Sequence, residues 1–165
     1  MLDGPRSPSA ARVQAVLDAF GLGHRVVEFE APTRTAQEAA DAIGCTVAQI
    51  AKSLLFRTRG SGRPVLVVAS GGNRVNEKEV ARRFAESLGG ERFERADPDF
   101  VRTATGFAIG GVSPFGPAVA PIVILDEGLG RSDVIWAAAG TPNAVFRLTF
   151  ADLVQMTGGA AGPVT

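Results

Sequence analysis

Two lysines, Lys52 and Lys78, stand among fifteen arginines in this chain of 165 residues. An ammonium and a guanidinium do different work, so each lysine invites a reason. Lys52 lies in Gln49-Ile-Ala-Lys-Ser-Leu-Leu-Phe56, read as the junction between a short helix and a strand. Such a junction projects the side chain into the mouth of a sheet. A lysine in apolar surroundings holds a phosphate or polarises an ester carbonyl, and burial tunes its pKa. A solvated lysine at the end of an element accounts for the residue as simply.

A second candidate is Gly110-Gly-Val-Ser-Pro-Phe-Gly116. Three glycines around a proline set a tight bend, and backbone N–H groups that converge there form an anion or oxyanion site. Gly-Gly and Ser-Pro are also ordinary turn signals. Gly140-Thr-Pro-Asn143 is the third candidate, a turn directly after an apolar strand. Thr141 and Asn143 can donate to a substrate there, and turn chemistry explains both residues equally well.

Other chemistries lack their residues. One histidine, one cysteine and no Gly-x-Ser-x-Gly elbow leave a nucleophilic triad little to build on. His24 reads as a surface or boundary residue, and Cys45, after the helix-ending Gly44, as a small buried thiol. Gly71-Gly-Asn-Arg74 has the spacing of neither a P-loop nor a dinucleotide fingerprint. No Cys/His cluster offers a metal site, so neither metal nor cofactor is expected.

The positioning elements follow from caps and periodicity. Ser7 and Pro8 open a helix with Val13, Val16, Leu17 and Phe20 on one face, ending at Gly21. His24 to Glu30 alternates as a half-buried strand. Thr35 with Glu38 is a capping box for an Ala-rich helix ending at Gly44. Thr46 with Gln49 is a second box, opening a turn through Ala51. Ser53 to Arg57 and Pro64 to Ala69 form a hairpin around Arg59-Gly-Ser-Gly-Arg63. Asn76 with Glu79 opens a helix carrying Val80, Phe84 and Leu88, and Glu91 to Arg95 reads as a short strand. Asp97-Pro98 starts a helix stopped by Gly106. Strands then follow at Ile122 to Asp126, Val134 to Ala138 and Ala144 to Leu148. A last helix is capped by Thr149 and Asp152, and residues 158–165 read as a frayed tail. The pattern is α+β: one domain over 1–165, with a mixed, mostly antiparallel sheet curled into a partly closed barrel and flanked by short helices.

Composition bounds the partners. A 45% apolar content closes one core without staples. Seventeen basic residues balance seventeen acidic ones, so a nucleic-acid contact has to use a local patch rather than the overall field. No apolar run has the length of a membrane span, and a lone cysteine suits a reducing, cytoplasmic setting.

Taken together, Ala51-Lys-Ser-Leu-Leu-Phe56, Val67-Val-Ala-Ser-Gly71 with Asn73-Arg-Val-Asn76, the Gly110 to Gly116 loop and Gly140-Thr-Pro resemble the YbaK/ProX/EbsC family. The resemblance spans roughly Thr35 to Leu153. It implies hydrolysis of a wrongly attached amino acid from tRNA, most often tRNA for proline. Lys52 matches the family's main functional lysine, and Gly111-Val-Ser-Pro-Phe-Gly116 matches its glycine-proline loop. The implied catalytic set is Lys52, Gly111 and Gly116. Lys52 anchors the terminal adenosine or its ester, and the amides of Gly111 to Gly116 hold the carbonyl as it becomes tetrahedral. Ser53, Asn73, Val112, Ser113, Pro114, Phe115, Gly140, Thr141 and Asn143 are implied to meet the substrate. Water is the nucleophile, aided by a free ribose hydroxyl.

Some relatives in that family carry a histidine in the amino acid pocket, and here only His24 exists, far from the matching motifs. The amino acid stays open among alanine, 2-aminobutyrate, serine, threonine and cysteine, because a size filter separates one methylene by only about 1 to 3 kcal/mol. The implied partner is the tRNA acceptor end, with a synthetase or an elongation factor as a further one. The alternative is an adaptor that docks nucleic acid or a synthetase without catalysis. Sequence-specific DNA reading is disfavoured, since the helix with Lys78, Arg82 and Arg83 also carries Glu77, Glu79 and Glu86.

Overall fold

The structure is a computed structural model describing residues 2–165. Its strands are β1 (Leu2–Asp3), β2 (Val26–Glu28), β3 (Ile50–Thr58), β4 (Pro64–Ser70), β5 (Phe93–Arg95), β6 (Ile122–Asp126), β7 (Ile135–Ala138), β8 (Ala144–Leu148) and β9 (Ala160–Gly162). Its helices are α1 (Pro8–Phe20), α2 (Ala36–Ile43), α3 (Glu77–Arg83), α4 (Pro98–Thr105) and α5 (Phe150–Thr157). The strands form one mixed sheet in the order β1-β2-β8-β7-β3-β4-β6-β9, with β5 added to β3. Five strand pairs are antiparallel, while β3·β7, β4·β6 and β6·β9 run parallel. Among the described residues no pairing joins β1 to β9, so the sheet is curled but not fully closed. This is the α+β domain expected.

β4 explains its own sequence. All seven of its residues are buried, because the sheet is covered on both faces, which is why Pro64-Val-Leu-Val-Val-Ala69 is continuously apolar rather than alternating. Leu66 and Val68 enter the larger core with α1, α4 and α5, where Leu17, Phe107 and Phe146 are fully buried. Val65, Val67 and Ala69 enter a second core with Val80, Phe84 and Phe93. Burying a side chain of this size contributes about 1.5 to 3 kcal/mol. The caps form as read: Ser7 Oγ accepts from Ala10 N at 3.1 Å, Thr35 Oγ1 from Glu38 N at 3.1 Å and Asp97 Oδ1 from Phe100 N at 2.8 Å.

Several expectations shift. The Thr46 box closes a single 3₁₀ turn, Val47–Gln49, because Gln49 Oε1 bonds back to Thr46 N at 3.0 Å. The strand therefore starts at Ile50, and Lys52 is its third residue rather than a junction residue. The strand expected from His24 to Glu30 shortens to Val26–Glu28. Of the surface and boundary readings His24 takes the second: the residue is half-buried, with its side chain 7% exposed and 3.0 Å from Asp152 Oδ2. The tail is not frayed. β9 pairs in parallel with β6 from Ile124↔Ala160 to Asp126↔Gly162, and Val164 is fully buried in the second core. No helix among the described residues is long and apolar enough to cross a membrane.

Candidate active site

β3 changes partners along one edge. It pairs with β7 only at Ile50 and Ala51, and β5 joins that side only from Phe56 onward. Its other edge stays continuously paired with β4, where Lys52 faces Ala69. The segment from Lys52 to Leu54 thus borders a gap in the sheet. A cavity of about 270 Å³ occupies that opening, near the lower end of the range for small-ligand sites. Lys52 and Ser53 line it from β3, Gly110 and Val112 from the glycine loop, and Thr141 and Pro142 from the turn before β8. A recess of about 100 Å³ adjoins it, sharing Ser53, Gly110 and Val112 and adding Arg95 and Val101.

The two glycine-bearing segments meet by necessity. A Cβ built on Gly111 would fall 2.6 Å from Thr141 Cα and 2.8 Å from its carbonyl carbon, so only glycine lets these backbones touch. Gly110 has a φ of +91°, and Gly111 N–H donates to Ala108 O at 3.0 Å, closing the bend. The Thr141 turn is itself anchored. Pro142 O accepts from Thr33 N and from Thr33 Oγ1, both at 2.9 Å, and Asn143 Nδ2 donates to Phe29 O at 3.1 Å.

Lys52 is half-buried, and its ammonium makes no hydrogen bond or ion pair with another described residue. Burial, then the Arg95 guanidinium, push its pKa below the ordinary lysine range, with Asp126 opposing. Asp126 is buried and fixed by Ser70 N at 3.0 Å, Asn73 Nδ2 at 2.9 Å and Gly128 N at 2.8 Å. Ser53 Oγ is buried without any hydrogen-bond partner among the described residues. An orphaned hydroxyl costs about 1 to 3 kcal/mol, a cost that a bound ligand accepting its hydrogen bond would remove.

Of the residues singled out from sequence, the structure brings Lys52, Ser53, Val112 and Thr141 to the cavity wall. The others lie behind it. Gly111 and Gly140 are spacers, the latter with a Cβ position 2.8 Å from Ser9 O, and Gly116 makes a positive-φ bend against Val16. Ser113 and Pro114 are buried, with Ser113 Oγ accepting from Phe115 N at 3.0 Å. Phe115 is core, stacked obliquely on Phe146 at 5.7 Å. Asn143 braces the turn through Thr141 Oγ1 at 3.0 Å. Asn73 stands apart from the cavity, spent on Asp126. With the Gly111 and Phe115 amides also committed within the loop, Gly110 and Val112 are the loop residues left at the wall. Sequence reasoning missed Trp136 on β7 and the segment Thr33 to Ala36 leading into α2, both lining residues. The lone Trp was the available signal.

Comparison with known proteins finds relatives over most of the chain. A sequence of Bacillus subtilis strain 168, YwhH, is 36% identical over 132 residues, 80% of either chain. The crystal structure of a candidate trans-editing enzyme for prolyl tRNA synthetase superposes with a TM-score of 0.88 at 43% identity, covering 98% of this chain and 99% of that one. A scaffold for presenting linear epitopes grafted by computational design gives 0.87 at 42% identity, covering 97% and 99%. The aminoacyl-tRNA editing domain profile matches residues 30–156. The chain belongs to the aminoacyl-tRNA editing domain family.

Proposed function

We propose that this protein is a trans-editing deacylase, hydrolysing the ester between a small wrong amino acid and the terminal adenosine of tRNA, with tRNA for proline as the substrate. The observation that carries the reading is the meeting of three features at one cavity: an unpaired ammonium, an unpartnered hydroxyl and a glycine bend. The family supplies the reaction class, and the similarity to a candidate trans-editing enzyme for prolyl tRNA synthetase supports the tRNA.

In this reading Lys52 anchors the adenosine or the ester region through charge. Backbone N–H groups at Gly110 and Val112 stabilise the carbonyl oxygen as it gains negative charge, and Ser53 Oγ donates to the bound aminoacyl group. Water attacks the carbonyl carbon, the carbon–oxygen bond to the ribose breaks, and the ribose oxygen leaves with a proton. An aminoacyl ester is already activated, so orientation and charge stabilisation suffice without a protein nucleophile. The limited volume favours a small amino acid among alanine, 2-aminobutyrate, serine, threonine and cysteine.

The test is a panel of tRNAs charged with wrong amino acids, assayed for release by the wild-type protein and by Lys52→Ala. Rapid release by the wild type and its loss in the variant, with an unchanged circular dichroism spectrum, support the reading. Wild-type rates in Lys52→Ala overturn the role of Lys52. No release from any member of the panel leaves the adaptor reading in its place.

A further inference from the structure

A second concavity, of about 1000 Å³, lies apart from the cavity, among the β3–β4 hairpin, the start of α3 and the lead into β5. Arg59, Arg74, Lys78 and Arg92 line it with Glu77 as the one acidic side chain, and Thr165 borders it. In a chain whose charges cancel, that is a local concentration of positive charge. The backbone holds part of it together, since Arg59 N–H donates to Arg92 O at 2.9 Å. Arg59 leans on Glu94 at 3.5 Å. Arg74, Lys78 and Arg92 are exposed and make no ion pair among the described residues. On the neighbouring α3, by contrast, Arg82 and Arg83 are paired with Glu79 at 2.8 and 3.4 Å.

The groove connects to the cavity through β5. Arg92 and Phe93 line the groove, while Arg95 lines the recess beside Ser53. Three residues of extended chain cover about 10 Å, so a strand whose end enters the cavity passes within reach of the groove. Phosphates follow one another along such a strand, and a row of cations with no carboxylate partners is the footprint that tracks them.

We propose that the groove of Arg74, Lys78 and Arg92 docks the phosphodiester backbone of the RNA whose aminoacylated end enters the cavity. The proposal rests on the deacylase reading for what enters the cavity, but the docking is measurable without hydrolysis. The groove supplies affinity for RNA of any sequence, and the cavity supplies the chemistry.

The probe is an uncharged RNA hairpin with a single-stranded CCA 3′ end, its binding followed by fluorescence anisotropy against salt. Arg74→Ala/Lys78→Ala/Arg92→Ala is expected to bind at least tenfold more weakly. Its plot of log affinity against log salt should be shallower by about 2, since each lost phosphate contact removes about 0.7 to 0.9 of the slope. Arg131→Ala/Arg147→Ala, two exposed cations outside the groove, should bind as the wild type does. Hydrolysis of a minimal aminoacyl ester of adenosine should persist in the triple variant, whereas KM for charged tRNA rises. Unchanged RNA binding in the triple variant, or an equal loss in the control pair, overturns the proposal. So does equal affinity for a glutamate-rich peptide, which would make the groove a protein-docking surface. If the wild type binds RNA through the groove but cleaves no aminoacyl ester, the deacylase reading fails and the docking stands.

Discussion

Gly111→Ala tests the architecture of the cavity more sharply than any change to a charged group. The added Cβ would lie 2.6 Å from Thr141 Cα, 2.8 Å from its carbonyl carbon and 2.9 Å from its nitrogen. Carbon atoms in contact prefer about 3.5 to 4.0 Å, so the two backbones have to separate by roughly 1 Å. No rotamer change relieves the clash, because every atom struck is main chain. Nor does the Thr141 turn yield easily, held as it is by Thr33 on Pro142, by Asn143 on Phe29 and by the contact of Gly140 with Ser9. The displacement therefore falls on the loop, and Gly110 and Val112 move with it. Overpacking of this kind costs about 1 to 3 kcal/mol, which for a chain of this size lowers Tm by about 2 to 12 °C.

Activity should fall further than stability. A 1 Å misplacement of groups that orient a substrate costs on the order of a hundredfold in rate, measured here as release of a small amino acid from charged tRNA well below the melting range. Gly158→Ala is the matched control. Gly158 ends α5 at a φ of +66° with no described residue within 4 Å of its Cβ position. Alanine there costs about 1 to 2 kcal/mol of backbone strain and leaves the cavity untouched. The reasoning is refuted if Gly111→Ala keeps wild-type melting and turnover. It is refuted equally if the two variants lose activity alike at temperatures where both are folded.

The depressed pKa of Lys52 has a definite sign. Its folded value lies below its unfolded value, so the fold disfavours the ammonium, and this penalty fades as pH rises through the interval between the two values. Deacylation that needs the ammonium declines on the alkaline side, at a lower pH than an ordinary lysine would give. Arg95→Gln removes the second cause of the shift and is expected to move that limb of the kcat/KM profile upward, after subtraction of spontaneous ester hydrolysis; a stationary limb counts against the assignment. Val164→Ala is expected to cost about 1 to 3 kcal/mol by urea unfolding, since Val164 packs in the second core and its carbonyl accepts from Asn76 N at 2.8 Å. Unchanged stability would show that the segment after β9 contributes nothing. His24→Ala breaks the 3.0 Å contact with Asp152 that ties the approach to β2 onto α5. Stability should drop by about 1 kcal/mol with deacylation intact, and an equal loss of activity would contradict the placement of His24 outside the site.

What could be read in the sequence was whatever is decided locally. Caps at Ser7, Thr35, Asn76, Asp97 and Thr149 announce their helices because each satisfies donors within three residues of itself. The run in β4 announces a strand covered on both sides because it is continuously apolar between the Pro64 that opens it and the Gly71 that follows it. The tail escaped for the opposite reason. Gly-Gly-Ala-Ala-Gly carries no strand propensity, and it pairs because absent side chains let it approach its neighbours. A Cβ on Gly159 would meet Val123 Cγ1 at 2.7 Å, and one on Gly162 would meet Phe84 Cζ at 3.0 Å. Smallness that looked like disorder is a requirement of close packing.

The site divides along the same line. Lys52 and the glycine loop were legible by residue type, but the glycines turned out to differ in kind. Gly110 is required by its own positive φ, a local matter, whereas Gly111 is required by Thr141, thirty positions away. Trp136 reaches the wall on β7 beside the place where β3 exchanges β7 for β5 between Ala51 and Phe56, and Thr33 reaches it through its bonds to Pro142. That exchange is a property of three strands together, and no window on one of them contains it. The opening it leaves gives Lys52 and Ser53 room to meet a ligand from within a strand, where a fully paired sheet would have closed over them.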